Sequence, residues 1–445
     1  MYHRLRVGLL VVFCLSIGNL FGLFAQHSTD YYSLSMVGNA GNGIFAPYYL
    51  SANKHGLVTH SKSGYLRASV FKGLEMNKRF SYEFGIDLVG LMSSTSPVSY
   101  YSDGNLKTHN PGVSSFLIQQ AYIGMKYRMI FISAGCRELT DEVVNFELSS
   151  GGLVWSGNAR PIPQVRAGFI DFVDIPFTKG WVQIKGELAY GKFMDNDFLR
   201  DHYNYYNQYI TTDALCHHKS ISFRSNPDKP FVVTIGAELA AQFGGTKRYY
   251  EKGILIDSLT MKSPTRLKDF FKILFPSSGD GQTNEGDQAY YYGNHVGQWN
   301  LSAEYRFKDN SSVRGYFEWY FDDASGMGKF NGWDGLWGLE YKSGKKNWLS
   351  NVVLEYLDMT NQSGPLNWCP SDYNDPKLDI EATGADDYYN NYFYNGWAHY
   401  GLSNGTAMAK SLLYNTDGYM RYKHNRIRAV SYTHLRAHET RHDLV

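Results

Sequence analysis

Two stretches of this chain interleave the side chain types that hold sugars: DNDFLRDHYNYYNQY at 195–209 and DDYYNNYFYNGWAHY at 386–400. A sugar ring is recognised by an aromatic face beneath it and by amide or carboxylate groups around its hydroxyls. The candidate glycan contacts are Asp195, Tyr203, Tyr205 and Tyr206 in the first stretch. In the second they are Asp386, Asp387, Tyr388, Tyr389, Asn390, Asn391, Tyr392 and Trp397. Tyr and Asn also crowd any exposed loop of a Tyr-rich surface protein, and that plainer reading stands beside the first.

Catalysis finds less support. Paired carboxylates occur at Asp322 and Asp323, Asp386 and Asp387, and Asp171 and Asp174, which brings glycoside hydrolysis into view. Neighbours on a strand point to opposite faces, so Asp322 with Asp323 makes a poor acid and base pair, and His217 with His218 a poor metal pair. The stretch GDGQTNEGD at 279–287 misses the spacing of a calcium-binding EF-hand loop. GxSxG, P-loop, HExxH and dinucleotide motifs do not occur. The expectation is a non-enzymatic protein without a cofactor or metal.

Composition narrows the class. The 445 residues include 36 Tyr, 26 Phe, 9 Trp and 44 Gly, with charged residues at only 19% and a net charge of +1. No basic run is long enough to serve as an arm for nucleic acid. The N-terminus carries Arg4 and Arg6 followed by an apolar run over 7–24, an export signal with cleavage expected after Ala25. Cys14 sits mid-run without a small-residue lipobox. Cys136, Cys216 and Cys369 then remain, an odd and widely spaced set that defines neither a disulfide scaffold nor a zinc site. No second apolar stretch of about 18 residues follows, so a membrane could be crossed only by strands.

The elements needed to position the two loops are visible as alternation of period two. In QWNLSAEYRFK at 298–308, Trp299, Leu301, Ala303, Tyr305 and Phe307 share one face, and Gln298, Asn300, Ser302, Glu304, Arg306 and Lys308 share the other. The run 313–321 repeats the pattern after a hairpin turn. Similar runs are 80–92, 182–190 and 333–342, with less regular strands at 32–38, 64–71, 116–127, 129–136, 215–224, 231–243 and 351–358. A Lys or Arg facing lipid costs about 2–4 kcal/mol at mid-bilayer, a physical cause for keeping charges on one parity. A soluble sandwich would alternate too, but strands of about 9–11 residues, aromatic near their ends, with short turns alternating with long loops, favour a transmembrane barrel. On that reading the long connections, 93–115, 137–164, 192–213, 244–296 and 359–408, are expected mostly to face outward. One carries a helix signal, with Ser263 as cap, Pro264 at the first helical position, and Leu267, Phe270, Phe271 and Leu274 as its apolar stripe. Arg266, Lys268 and Lys272 occupy its other side, and the helix is expected to pack in the barrel mouth or lie on a membrane surface.

Several stretches resemble the Wzi-type capsule assembly proteins of Gram-negative outer membranes: GIFAPYYLSANKHGL at 43–57, SGYLRASVF at 63–71, ELSSGGLVWSGNARPIPQVRAG at 147–168, TKGWVQIKGELAYG at 178–191, GNHVGQWNLSAEYRF at 293–307 and HNRIRA at 424–429. The most specific is SGNARPIPQVR, with Asn158, Arg160, Pro161, Pro163 and Arg166; its prolines deny ladder donors, so it does not read as generic strand. Arg160 and Arg166 suit either an anionic polymer or, more commonly, carboxylates in the lumen. The resemblance implies an all-β fold, a large antiparallel transmembrane β-barrel of about 18 strands in the intact family. It also implies capsular polysaccharide as partner, outer-membrane lipid around the wall, and contact with capsule export machinery.

The last stretch departs from that family. From about Val430 the text SYTHLRAHETRHDLV loses alternation and resembles a translated sequencing adapter, so His434, His438 and His442 are not taken as a helical metal site. The expected organisation is a signal peptide over 1–25, a C-terminally truncated barrel over 26–429 and an artefactual tail over 430–445. The leading expectation is a lectin-like barrel that attaches or organises capsular polysaccharide. The alternatives are a diffusion pore, and a secreted β-rich carbohydrate-active enzyme.

Overall fold

A computed structural model describes residues 30–435, apart from 140, 142, 146, 204–207, 285–286, 289–290, 323–325, 329–331, 346–348 and 363–385. The expected signal peptide, with Arg4, Arg6 and Cys14, lies outside the described residues, as do Tyr205, Tyr206, Asp323, Cys369, His438 and His442.

Among the described residues the alternation becomes one antiparallel sheet of seventeen strands. Three are two-residue pieces, and fourteen form the wall: β1 (Asp30–Asn39), β2 (Ser63–Lys72), β3 (Phe80–Ser93), β4 (Phe116–Tyr127), β5 (Ile130–Cys136), β6 (Gln164–Phe169), β7 (Val182–Lys192), β8 (Gln208–Ser225), β9 (Phe231–Glu251), β10 (Asn294–Arg306), β11 (Ser312–Asp322), β12 (Gly335–Lys342), β13 (Asn351–Asp358) and β14 (Arg428–Leu435). Each wall strand pairs with the next in the chain. Short turns at 73–79, 128–129, 226–230 and 307–311 lie at one end of the wall, and the long connections at the other. In an outer-membrane barrel these ends are periplasmic and extracellular respectively.

The wall curls around an interior. Ser150 shows this by itself: its carbonyl accepts from Asn53 Nδ2, 2.9 Å, just before β2, while its N–H donates to Glu355 on β13, 2.7 Å. In a flat sheet β2 and β13 would stand about 50 Å apart at ordinary strand spacing. β1 pairs only with β2, and β14 only with β13, so the ring of described strands is open between them.

The two faces are inverted relative to a soluble protein. On β10, Gln298 and Asn300 are buried against the interior, while Trp299 is 36% and Leu301 41% exposed on the outside. On β3, Glu83 and Asp87 are buried between outward, exposed Tyr82, Ile86 and Leu88. Glu238, Glu318 and Glu355 are likewise buried, whereas Ile235, Leu339, Leu354 and Tyr356 are exposed. Water would drive the opposite arrangement; hydrocarbon outside and a polar interior produce this one. Phe317 and Phe321 have outward parity yet are buried, because aromatic neighbours cover them. Phe317 stacks on Trp337 with centroids 3.8 Å apart, and Trp319 on Trp333 at 4.8 Å.

Three expectations need correction. The connections 137–163 and 359–427 do not simply face outward: their described parts fold into the lumen and fill it, pairing inward carboxylates that an empty lumen would leave to water. Alternation does not stop at Val430, since β14 continues to Leu435, with Val430 and Tyr432 exposed outward and its whole length paired to β13. The helix begins later than Ser263, at α3 (Leu267–Leu274, following α1 at Tyr48–Ser51 and α2 at Asn196–His202). Its N-cap is Arg266, whose backbone N–H donates to Asp269. Ser263 instead takes a hydrogen bond from Lys247.

Candidate functional site

Inward side chains of successive strands form a polar belt that grips the first lumen segment, 137–163. Arg166 on β6 makes two hydrogen bonds to Glu187 on β7, and His218 on β8 stands 2.8 Å from Glu238 on β9. Gln298 on β10 donates to Glu238 and accepts from the Val154 N–H at 3.2 Å. Glu318 on β11 accepts from the Leu153 N–H at 2.8 Å, and Glu355 on β13 from Ser149 and Ser150. Asn145 reaches Glu340 on β12. On the far side Arg67, Asp87, Gln120 and Glu138 close a second network, and Gln119 holds the carbonyl of His55. Backbone N–H groups of the segment thus supply partners to one oxygen each of Gln298, Glu318 and Glu355, while Glu318 Oε1 and Asp141 Oδ2 are buried without a hydrogen bond.

The second segment, 386–427, packs on the first. Trp397 is fully buried, donating Nε1–H to the Val154 carbonyl at 2.7 Å with its ring edge-on to Trp155. Tyr389 donates its hydroxyl to the Leu153 carbonyl, 2.6 Å, and Tyr422 to the Trp397 carbonyl, 2.9 Å. With Tyr320, Tyr388 and Leu336 these residues make the largest apolar cluster, inside the ring.

That packing buries six of the ten glycan candidates that fall among the described residues. Tyr388, Tyr389 and Trp397 have no exposed surface, and Asn390, Tyr203 and Asp195 are buried, so none can stack on or bond to a polymer outside without the plug opening. Asn390 accepts from the Tyr422 N–H and donates to its carbonyl, a local clasp. Asp195 accepts from the Tyr400 N–H, 3.1 Å, and burial pushes its carboxyl up to about 6. The accessible remainder is Asp386, Asp387, Asn391 and Tyr392, the last 52% exposed.

Residues that sequence reasoning missed surround Tyr392. The Tyr209 ring lies 5.6 Å from Tyr392, 5.1 Å from Phe393 and 5.0 Å from Tyr249. β8 and β9 carry these rings because they extend to Gln208 and Glu251, past the expected limits at 215 and 243. Gly244 and Gly245, both at positive φ, interrupt the alternation there and hid the extension. Asn395 fixes the rim loop to this extension, accepting from the Thr211 N–H at 2.8 Å.

The SGNARPIPQVR residues join the two lumen segments. Asn158 donates to the Ser403 carbonyl, the Arg160 carbonyl accepts from His399, and the Arg160 guanidinium lies 3.9 Å from the Tyr400 ring centroid. The Pro161 carbonyl faces Cys136 Sγ, and the Pro163 carbonyl accepts from the Lys192 N–H as the wall resumes. Arg166 takes the carboxylate-pairing role; Arg160 stacks on a ring instead. Among the described residues no group of three or more His, Cys, Asp or Glu is placed to hold a metal ion, and no helix is long and apolar enough to cross a membrane.

A curled antiparallel sheet that turns apolar side chains outward and a polar belt inward, around a lumen filled by the chain, defines a plugged transmembrane β-barrel wall. No family model matches the chain. No curated protein matches it either. Among solved structures it is similar to Wzi, an outer-membrane protein involved in group 1 capsule assembly in Escherichia coli and described as a carbohydrate-binding β-barrel, at 13% identity and TM-score 0.47, over 86% of this chain and 64% of that one. It is also similar to a triple-mutant porin of Rhodopseudomonas blastica, at 12% identity and TM-score 0.24, over 66% of this chain and 85% of the other. The chain therefore spans just under two thirds of the capsule protein's length. Both TM-scores are below 0.5, and the class stated above rests on the sheet alone.

Proposed function

We propose that this is an exported outer-membrane protein, led by a cleavable signal peptide over residues 1–25, that holds capsular polysaccharide at the cell surface without transforming it. The observation that carries the reading is the exposed Tyr392, backed by the buried Tyr209 ring with Phe393 and Tyr249 around it and with Asn391 beside it in the chain, above a lumen filled by the chain itself. A filled lumen favours attachment over diffusion, and an exposed apolar wall counts against a freely soluble secreted enzyme. Outer-membrane lipid is then the wall's partner, and capsule export machinery a partner of the long-loop end.

Binding of native capsular polymer to the purified barrel tests this. The expected result is binding by the parent protein that Tyr392→Ala weakens several-fold with the barrel intact. Absence of binding to any native capsule by an intact barrel removes the polysaccharide role. Planar-bilayer recordings should be silent; steady open conductance would favour the pore.

A further inference from the structure

The amphipathic helix α3 does not enter the barrel mouth. Ile273 and Phe270 pack on Tyr190 of β7, Leu215 of β8, and Ala241 and Phe243 of β9. On these strands the residues facing the lumen have the opposite parity, namely Glu187, His218 and Glu238, so α3 lies against the outer surface of the wall near its long-loop end. Lys219 confirms the placement. It has outward parity, where an uncovered lysine would face lipid, and it donates instead to the Ile273 carbonyl at 3.1 Å and to the Leu274 carbonyl at the helix C-terminus. The Tyr190 hydroxyl also donates to the Phe270 carbonyl, 3.0 Å.

Once the wall-facing side is satisfied, a second apolar stripe remains. Leu267, Phe271 and Phe275, spaced four residues apart, are 76%, 56% and 69% exposed. The same outer face of the wall carries exposed Ile221 on β8, two residues beyond Lys219, and exposed Ile235 on β9. Beside the stripe Arg266, Lys268 and Lys272 converge on Asp280, at 2.8, 3.0 and 3.9 Å, and Arg266 also pairs with Asp269. Three cations thus face two carboxylates, leaving a positive surplus where the apolar stripe ends.

We infer that α3 is an interfacial anchor that seats Leu267, Phe271 and Phe275 in the outer leaflet and holds an anionic, phosphate-bearing lipid headgroup with Arg266, Lys268 and Lys272. An amphipathic helix with this split lies in the interface plane, its aromatic side in the acyl boundary and its cations at the headgroups. The inference rests on the membrane placement proposed above, but not on polysaccharide binding.

The test places a benzophenone amino acid at Phe271, and in a second protein at Leu301 in mid-wall. Each protein is reconstituted into vesicles of phosphatidylethanolamine, with and without a phosphorylated glycolipid of the lipid A type. Leu301 should crosslink to lipid in both vesicles, and Phe271 to the phosphorylated glycolipid where it is present. Lys268→Glu with Lys272→Glu should lower the Phe271 adduct by about tenfold in the anionic vesicles, and leave the Leu301 adduct unchanged. Lipid adducts at Leu301 but none at Phe271 overturn the anchor and spare the barrel. Adducts at neither position overturn the membrane placement itself. A Phe271 adduct insensitive to charge reversal overturns the headgroup contact.

Discussion

Trp397 and Tyr392 are five residues apart in one Tyr- and Asn-rich stretch and have opposite fates: the first is buried at the join of the two lumen segments, the second stands on the rim. Nothing in their types separates them, because an aromatic, amide-rich loop has the same composition whether it folds back or stays out. Trp397→Ala should destabilise the folded barrel by about 3–5 kcal/mol, read from unfolding in detergent, whereas Tyr392→Ala should leave that transition in place. Asp195 adds a pH signature. Burial raises its folded-state pKa to about 6, above the unfolded value near 4. Its contribution is therefore fully present below about pH 4 and is lost as pH rises through about 6. The melting temperature should fall across that window in the parent and fall less in Asp195→Asn; parallel curves would contradict the assignment.

At the scale of elements, the strands were legible because hydrocarbon tolerates few charges, so every lipid-facing register leaves a mark in the sequence. The runs 298–308 and 80–92 show it; β3 obeys it along its length, and β10 over 298–301. The lumen segments were not legible, since their partners Glu318, Glu340 and Glu355 read only as inward polar residues until the wall has curled. The helix was half legible. Its apolar positions divide between the wall, taken by Phe270 and Ile273, and the outside, taken by Leu267, Phe271 and Phe275. A direct consequence of the lipid-facing assignment is that Leu301→Lys should cost about 2–4 kcal/mol in bilayers, measured by urea unfolding in vesicles. A change within about 0.5 kcal/mol, usual for a water-exposed position, would place that face in solvent.

At the scale of the molecule, fourteen wall strands wrap a chain segment that bonds to β3 through Arg137 and to β13 through Ser150. The filled lumen and the inverted faces are one design, because inward polar groups need partners and outward apolar groups need lipid. The most direct test attaches a nitroxide label at single cysteines introduced in turn from 298 to 303, in an otherwise cysteine-free chain reconstituted in lipid vesicles. Collision with oxygen, which concentrates in hydrocarbon, should be high at 299, 301 and 303 and low at 298, 300 and 302, and a water-soluble paramagnetic reagent should reach none of the outward positions. Equal access of the water-soluble reagent to 299, 301 and 303 would contradict the account.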